Sequence, residues 1–299
     1  TLKANGQVFI LNPNGIVFGS TATVNVGGLV ASTLSITDSD FMAGRYYFTQ
    51  DPSSPQGYVV NQGTIIAGSY AALVGPLVEN SGTITAPGGQ VYLLATNEAV
   101  LDIQGNGLIG YSIGTIAGGN VVIRPDALSD AVRAVVNTAG LVEAGAVVEN
   151  ADGTVTLVNA GGTAVNSGTI TASGGAIVVH GSTAALNYGI LDASAIAAGG
   201  LGGSVHLLGD KVGLMAGSLV DVSGDLGGGV ALIGGDYLGA GSVPNSSVTY
   251  VDGSAVVHAD ALTQGDGGRV IVWSDVTTRF YGTVTARGGA LGGDGGFVE

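Results

Sequence analysis

The chain has 299 residues, of which 55 are glycine, 45% are hydrophobic and 10% are charged, and its formal net charge is −14. Its eight basic residues are scattered from Lys3 to Arg287, which argues against the clustered Lys and Arg of a nucleic-acid-binding surface. Cysteine is absent, and this excludes disulfides, zinc–thiolate sites and thiol chemistry. No apolar run reaches the ~18 residues of a membrane-spanning helix, so we predict no membrane-spanning segment.

The first predicted element is a pair of strands joined by a tight turn, within residues 5–19. Pro13 fixes φ at the first turn position, Asn14 tolerates the next, and Gly15 leaves the turn with φ free. The flanking sequences VFIL and IVFG are rich in β-branched and aromatic residues, which is typical of strands.

This stretch resembles the Asn-Pro-Asn-Gly-Ile motif in the amino-terminal domain of the filamentous haemagglutinin family, whose members are exoproteins exported by two-partner secretion. The matching residues are Asn12, Pro13, Asn14, Gly15 and Ile16. The resemblance implies a large surface fibre rather than an enzyme. It also implies that the motif helps the exoprotein to engage its outer-membrane transporter, or to fold behind it.

Two degenerate repeats follow along the chain, each a turn followed by a short strand. The first is Asn-x-Gly before aliphatic or β-branched residues, and it begins at Asn61, Asn80, Asn166 and Asn187, with a weaker copy at Asn137. The second is Gly-Gly-x before an alternating strand, and it begins at Gly88, Gly174, Gly202, Gly227 and Gly267.

The spacing of the first repeat suits one coil of three short strands, since Asn61 and Asn80 are 19 residues apart and Asn166 and Asn187 are 21 apart. Such a coil buries its inner face only by stacking on its neighbours. We therefore predict an all-β right-handed parallel β-helix (β-solenoid) of about 13 to 15 coils, roughly 60 to 70 Å long. The four asparagines are predicted to stand at coil corners in left-handed conformations and to form side-chain ladders.

Three stretches interrupt the repeats. Residues 38–58 carry aromatic residues and a Pro-Ser-Ser-Pro cluster, which predicts an extruded loop. Residues 125–136 place apolar side chains at helical spacing behind Pro125, which predicts a short helix on the flank. Residues 234–244 are predicted to form a third excursion.

The carboxyl-terminal third strengthens the resemblance, because sequences such as those of residues 265–275 and 292–299 are similar to the coils that follow the secretion domain in large haemagglutinin-like exoproteins. The resemblance divides the chain in two. Residues 1–110 are expected to be the carboxyl-terminal part of a secretion-type domain whose amino-terminal part the chain lacks. Residues 111–299 are expected to be continuing coils of the shaft.

A β-helix can also carry a polysaccharide lyase or hydrolase, which needs facing acids or an acid cluster with a basic residue. The candidate acids are Asp192, Asp221, Asp225, Asp236 and Asp252. Each has Gly or Ser within two residues, which is typical of a turn and favours a solvated corner residue. His180, His206 and His258 stand singly, without a metal or triad signature. We therefore predict no catalytic residue, no metal site and no cofactor.

The sequence thus predicts a fragment of a secreted Gram-negative exoprotein that passes through the periplasm and outer membrane and forms an adhesive surface fibre. The partners that the resemblance implies are a TpsB-type transporter of the Omp85 superfamily during export and a host or bacterial surface glycan or protein as receptor. End-to-end self-association is expected from unpaired strand edges. Two alternatives remain open: a carbohydrate-active enzyme, and the stalk of a contact-dependent toxin whose activity would lie beyond Glu299.

Overall fold

We obtained the structure as a computed structural model; it describes residues 1–54, 56–103, 109–113, 121–123, 146–149, 155–158 and 162–299. Short strands dominate it, as the β-branched runs predict. A short helix, α1 (Asp38–Met42), and a 3-10 helix (Tyr237–Gly239) lie between strands. The described residues contain no helix that is long and apolar enough to cross a membrane.

In chain order the strands are β1 (Leu2–Lys3), β2 (Gln7–Leu11), β3 (Ile16–Phe18), β4 (Thr23–Ser32), β5 (Tyr46–Thr49), β6 (Tyr58–Asn61), β7 (Thr64–Gly75), β8 (Leu77–Asn80), β9 (Thr83–Thr85), β10 (Gln90–Ala95), β11 (Glu98–Ile103), β12 (Ile109–Ile113), β13 (Val121–Ile123), β14 (Ala146–Glu149), β15 (Val155–Val158), β16 (Thr163–Asn166), β17 (Thr169–Thr171), β18 (Ala176–Asn187), β19 (Ile190–Asp192), β20 (Ser204–Leu214), β21 (Leu219–Asp221), β22 (Val230–Ile233), β23 (Val248–Val251), β24 (Val256–His258), β25 (Arg269–Val272), β26 (Thr277–Phe280), β27 (Thr283–Thr285) and β28 (Phe297–Val298).

Parallel pairing stacks most of these strands into three walls, so that each coil contributes to every wall in turn. Wall 1 contains β1, β4, β7, β9, β17, β19, β21, β24 and β27. Wall 2 contains β2, β4, β7, β10, β18, β20, β22, β25 and β28. Wall 3 contains β3, β6, β8, β16, β18, β20, β23 and β26. The long strands β4, β7, β18 and β20 bend from one wall into the next. The predicted parallel β-helix is confirmed.

The interior is a stack of small aliphatic layers. In wall 2 one inward row runs through Ala31, Leu73, Leu93, Val179, Leu207 and Ile233, all fully buried. Each layer buries its side chains only against the layers above and below, so the core is continuous along the rod.

The rod is shorter than the sequence suggested. Wall 1 holds nine strands among the described residues, which correspond to about 40 Å at ~4.8 Å per coil. The estimate of 13 to 15 coils was wrong because it assigned about 20 residues to every coil, whereas consecutive strands of wall 3 can lie much further apart in the sequence. Strand β16 stacks directly on β8, with Thr163 opposite Leu77.

Two excursions meet outside the rod. Strand β5, from the excursion between β4 and β6, pairs in antiparallel fashion with β11, which follows β10 and also pairs with β12. This extra sheet covers the outer face of wall 2 and makes a second apolar core, in which Phe48 and Leu101 pack with Tyr70, Tyr92 and Val30 of the wall. The helix predicted at residues 125–136 lies outside the described residues.

Both predicted repeats mark corners of the coil. Every Gly-Gly-x unit leads from wall 1 into wall 2, and every described Asn-x-Gly unit leads from wall 3 into wall 1. The glycines are needed because backbones of adjacent coils touch there: a Cβ at Gly168 would lie 2.0 Å from the Gly82 carbonyl oxygen, and a Cβ at Gly175 would lie 2.0 Å from that of Gly89.

The corner asparagines form a buried ladder. The Asn61 Nδ2 donates to Asn80 Oδ1, Asn80 Nδ2 to Asn166 Oδ1, and Asn166 Nδ2 to Asn187 Oδ1, each over 2.8 Å. Each Nδ2 also lies within 3.0 to 3.3 Å of the carbonyl of the glycine two residues on. The predicted left-handed backbone was wrong, because Leu238 is the only described non-glycine residue with positive φ. The asparagines end extended strands, and their side chains supply the corner bonds.

Two histidines on the outer face of wall 2 are largely buried. His180 is 8% exposed and stands in a column between Leu94 and Leu208. Burial lowers its pKa from 6.5 to about 4. Burial also lowers the pKa of His206, against an opposing effect of Asp236.

Gly168→Ala is expected to lower the free energy of unfolding by about 3 kcal/mol or more, since the added methyl group meets backbone that cannot move alone. Gly253→Ala is the matched control, because a Cβ there meets no atom closer than 3.9 Å. Urea unfolding followed by circular dichroism measures both. Equal stability of the two variants would contradict the close-packing argument.

Asn166→Ala is expected to lower the free energy of unfolding by about 2 to 4 kcal/mol, because it removes two buried ladder bonds, the one that Asn80 Nδ2 donates and the one that Asn187 Oδ1 accepts. The exposed Asn25 provides the control, and Asn25→Ala should change stability by less than about 0.5 kcal/mol. Urea unfolding followed by circular dichroism measures the stability of both variants. A loss below about 1 kcal/mol for Asn166→Ala would show that the ladder is replaceable by water.

Acid should destabilise the fold through His180. The unfolded chain binds a proton at this residue near pH 6.5, whereas the folded chain does so only near pH 4. Stability is therefore lost as the pH falls between these values, by about 1.4 kcal/mol per pH unit. His180→Leu removes this dependence, so the difference in unfolding free energy between pH 7.5 and pH 5.0 should shrink by about 2 kcal/mol. An unchanged difference would exclude His180 as the group responsible.

Candidate functional site

The motif turn lies at the corner between walls 2 and 3, where it joins β2 to β3. The Asn14 backbone N–H donates to Asn12 Oδ1 and the Gly15 N–H donates to the Asn12 carbonyl, both over 3.1 Å. Gly15 has φ +120°, a conformation that side chains disfavour. The turn is thus determined by its own residues.

The next coil packs against one side of this turn. A Cβ at Gly15 would lie 2.9 Å from the ring of Tyr58, which is 2% exposed. The Asn12 N–H donates to the Ser32 carbonyl over 3.1 Å. Ile16 is buried in the core, whereas Asn12 and Asn14 are exposed. The motif therefore presents polar side chains to solvent while its backbone supports the second coil.

The same corner releases the excursions from the rod. Residues 33–54 leave after β4, strands β11 and β12 follow after β10, and residues 234–247 leave after β22. Beside the motif, Phe9 of β2 stacks on Tyr46 at 5.3 Å and meets the edge of Phe41 at 5.1 Å. The first excursion is thereby fixed to the strand that leads into the motif.

The remaining predicted site residues stand elsewhere. Asn61, Asn80, Asn166 and Asn187 meet one another at the corner between walls 3 and 1. They do not contact the motif turn, which lies at a different corner of the coil. The structure thus brings the asparagines together as a scaffold and leaves the motif as a separate surface feature.

The candidate acids are mostly occupied by local bonds. Asp192, Asp221 and Asp252 each accept the N–H of the serine two residues on, over 2.9 Å. Asp225 accepts hydrogen bonds from Thr263 and from the Gly199 N–H, and these bonds lower its pKa. The predicted role as corner residues describes these contacts well.

One column of polar residues crosses wall 1. Asp192, Asp221 and His258 occupy the same register in successive coils, and His258 Nδ1 lies 2.7 Å from Thr285 Oγ1. The column faces outward from a sheet, and a hydrolase needs its acids on both sides of a sugar bond. Among the described residues no group of three His, Asp or Glu is placed to hold a metal ion.

The sequence reasoning missed a buried carboxylate, Asp260, which is 4% exposed. It accepts hydrogen bonds from the Arg287 side chain and N–H, both over 2.7 Å, and from Thr285 over 2.9 Å. Burial raises the pKa of Asp260, but these bonds outweigh it and the net pKa is lowered. Asp260 and Arg287 lie in adjacent coils and are 27 residues apart in the sequence. Sequence analysis could therefore have paired them only from the length of the coil.

Comparison with known proteins gives three concordant matches. The family model of the TPS secretion domain matches residues 1–171. The heme/hemopexin-binding protein of Haemophilus influenzae is 32% identical over 161 residues, which are 51% of this chain and 16% of that protein. The crystal structure of the HMW1 secretion domain from Haemophilus influenzae superposes with a TM-score of 0.66 at 26% identity, over 98% of this chain and 74% of that one.

These matches agree with the motif turn and with the three-walled rod described above. The family model covers more than half of the chain. The structural match extends over nearly all of it. The chain therefore belongs to the TPS secretion domain family, the family of exoproteins exported by two-partner secretion.

Proposed function

We propose that this chain is exported through a TpsB-type transporter of the Omp85 superfamily and forms part of an adhesive fibre on the bacterial surface. Membership of the TPS secretion domain family supports the export step. The rod shape supports the fibre, because stacked coils extend a protein in one dimension. In this proposal residues 1–110 serve export and residues 111–299 belong to the shaft.

The observation that carries the proposal is the local determination of the motif turn. Its two hydrogen bonds join residues within Asn12–Gly15, so they need no later part of the chain. The three strands of the first coil, in contrast, pair with strands of the coil that follows, β1 and β2 with β4 and β3 with β6. If the chain leaves the transporter with its amino terminus first, this corner can therefore form before the later coils emerge.

Folding would then proceed coil by coil outside the cell. Each new coil buries its aliphatic layer on the previous one, and this release of free energy opposes return of the chain through the pore. Asn12 stabilises both the turn and its contact with the next coil. Its carbonyl and Oδ1 accept the N–H groups that close the turn, and its own N–H donates to the Ser32 carbonyl of the second coil.

Replacement of Asn12 and Asn14 by Ala in the full-length exoprotein is expected to lower secretion several-fold, because the Oδ1 cap at Asn12 is lost and Asn14 no longer favours the turn. Secreted and cell-associated protein are measured by immunoblot in cells that carry the cognate transporter. Asn25→Ala is the control, since Asn25 is an exposed asparagine of the second coil. Unchanged export of the double variant would refute the role of the motif.

The receptor in this proposal is a host or bacterial surface glycan or protein, or another copy of the chain. The acidic composition, with 22 acids against eight bases, favours a receptor that is not strongly anionic. The carbohydrate-active enzyme is the weaker candidate, because Asp192, Asp221 and Asp252 each cap a local turn by accepting the N–H of the serine two residues on.

A further inference from the structure

An open groove lies on the corner between walls 1 and 2, across the last three described coils. It has a volume of about 520 Å³, within the usual range for small-molecule sites. Its lining combines glycine backbone with Asp266, Arg269 and Phe297. The export step proposed above does not use this groove.

Glycine pairs at 228–229, 267–268 and 295–296 form much of the lining. The coils need them, because a Cβ at Gly268 would lie 2.2 Å from the Gly229 carbonyl and one at Gly296 would lie 2.0 Å from that of Gly268. Gly295 is different, since a Cβ there would meet no atom closer than 3.9 Å. Because glycine has no side chain, a ligand can approach the backbone of this lining closely.

The charged groups of the groove are held in place. Arg269 Nη2 donates to Asp236 Oδ1 over 2.6 Å, and the guanidinium lies 5.8 Å from the centre of the Tyr237 ring. The side chain of Arg269 is still 40% exposed, so its remaining N–H groups can reach a ligand. Asp266 uses Oδ1 to accept the Asp294 N–H over 2.7 Å, which orients the carboxylate.

An aromatic ring completes the lining. Phe297 is 46% exposed and meets Tyr237 edge to face at 5.4 Å. Its packing against Tyr237 limits the positions of the ring while leaving much of its surface open. An aromatic face attracts polarised C–H groups through its quadrupole.

We propose that this groove binds a neutral oligosaccharide, which rests on the adhesive function proposed above. Vicinal sugar hydroxyls can donate to Asp266 and accept from Arg269, while the C–H face of the ring lies on Phe297. A sulfated or sialylated glycan fits less well, because Arg269 is already neutralised by Asp236 and Asp266 adds a negative charge in a chain of net charge −14.

The test is a panel of immobilised neutral hexose and N-acetylhexosamine oligosaccharides, with sulfated and sialylated glycans alongside, probed with the purified 299-residue chain. Gly295→Leu places a side chain in the groove without a backbone clash. Gly253→Leu is the matched control outside it, where the nearest atom is also 3.9 Å away. Asp266→Asn removes the charge and keeps the shape. Circular dichroism and thermal melting verify that all variants fold.

We expect at least one neutral oligosaccharide to bind, with affinity lowered about tenfold or more by Gly295→Leu and by Asp266→Asn and unchanged by Gly253→Leu. The proposal is overturned if only anionic glycans bind, if no glycan binds, or if Gly295→Leu binds as well as the wild type.

Adhesion of cells that display the full-length exoprotein separates the two proposals. Loss of adhesion in Gly295→Leu, with normal surface display, supports the groove as the receptor site. Normal adhesion in that variant overturns the groove and leaves the adhesive function standing. Absence of adhesion by the wild type removes the adhesive function, whatever the glycan panel shows.

Discussion

Close stacking of successive coils is the constraint on which the rest of the structure depends. Parallel strands lie ~4.8 Å apart, so whatever one coil places at a corner sits directly on its neighbour. At two of the three corners this leaves room for backbone alone, and glycine fills both, as at Gly168 and Gly175. The same stacking lets asparagines at one register bond to each other and lets small aliphatic side chains form one continuous core.

The third corner, between walls 2 and 3, also needs glycine in places, since a Cβ at Gly209 would lie 2.6 Å from the Gly181 carbonyl oxygen, but its turns differ from coil to coil. The motif turn and the excursions all occur there. Because β5 and β11 leave from different coils and then pair, the extra sheet connects the second coil to the fourth. Its second core, around Phe48 and Tyr70, adds tertiary contacts that the repeating coil alone does not make.

Different functions can thus occupy different edges of one scaffold. The motif turn, with exposed Asn12 and Asn14, is suited to an early step of export because its hydrogen bonds join only its own residues. The groove near Arg269 needs three completed coils and the loop that carries Tyr237, so it exists only after folding. In the two proposals, export and recognition therefore depend on different parts of the chain and take place at different times.

The sequence by itself determined the coil and two of its corners, because glycine and asparagine at a fixed period are needed in each coil and can be counted without coordinates. It also indicated the family through residues 12–16. Only the tertiary structure decided which residues 27 or more positions apart meet, such as Asp260 with Arg287 and Asp236 with Arg269. It also decided that β16 stacks directly on β8, although Thr163 and Leu77 are 86 residues apart in the sequence. These contacts depend on loop lengths and register between coils, and neither leaves a periodic signal in the chain.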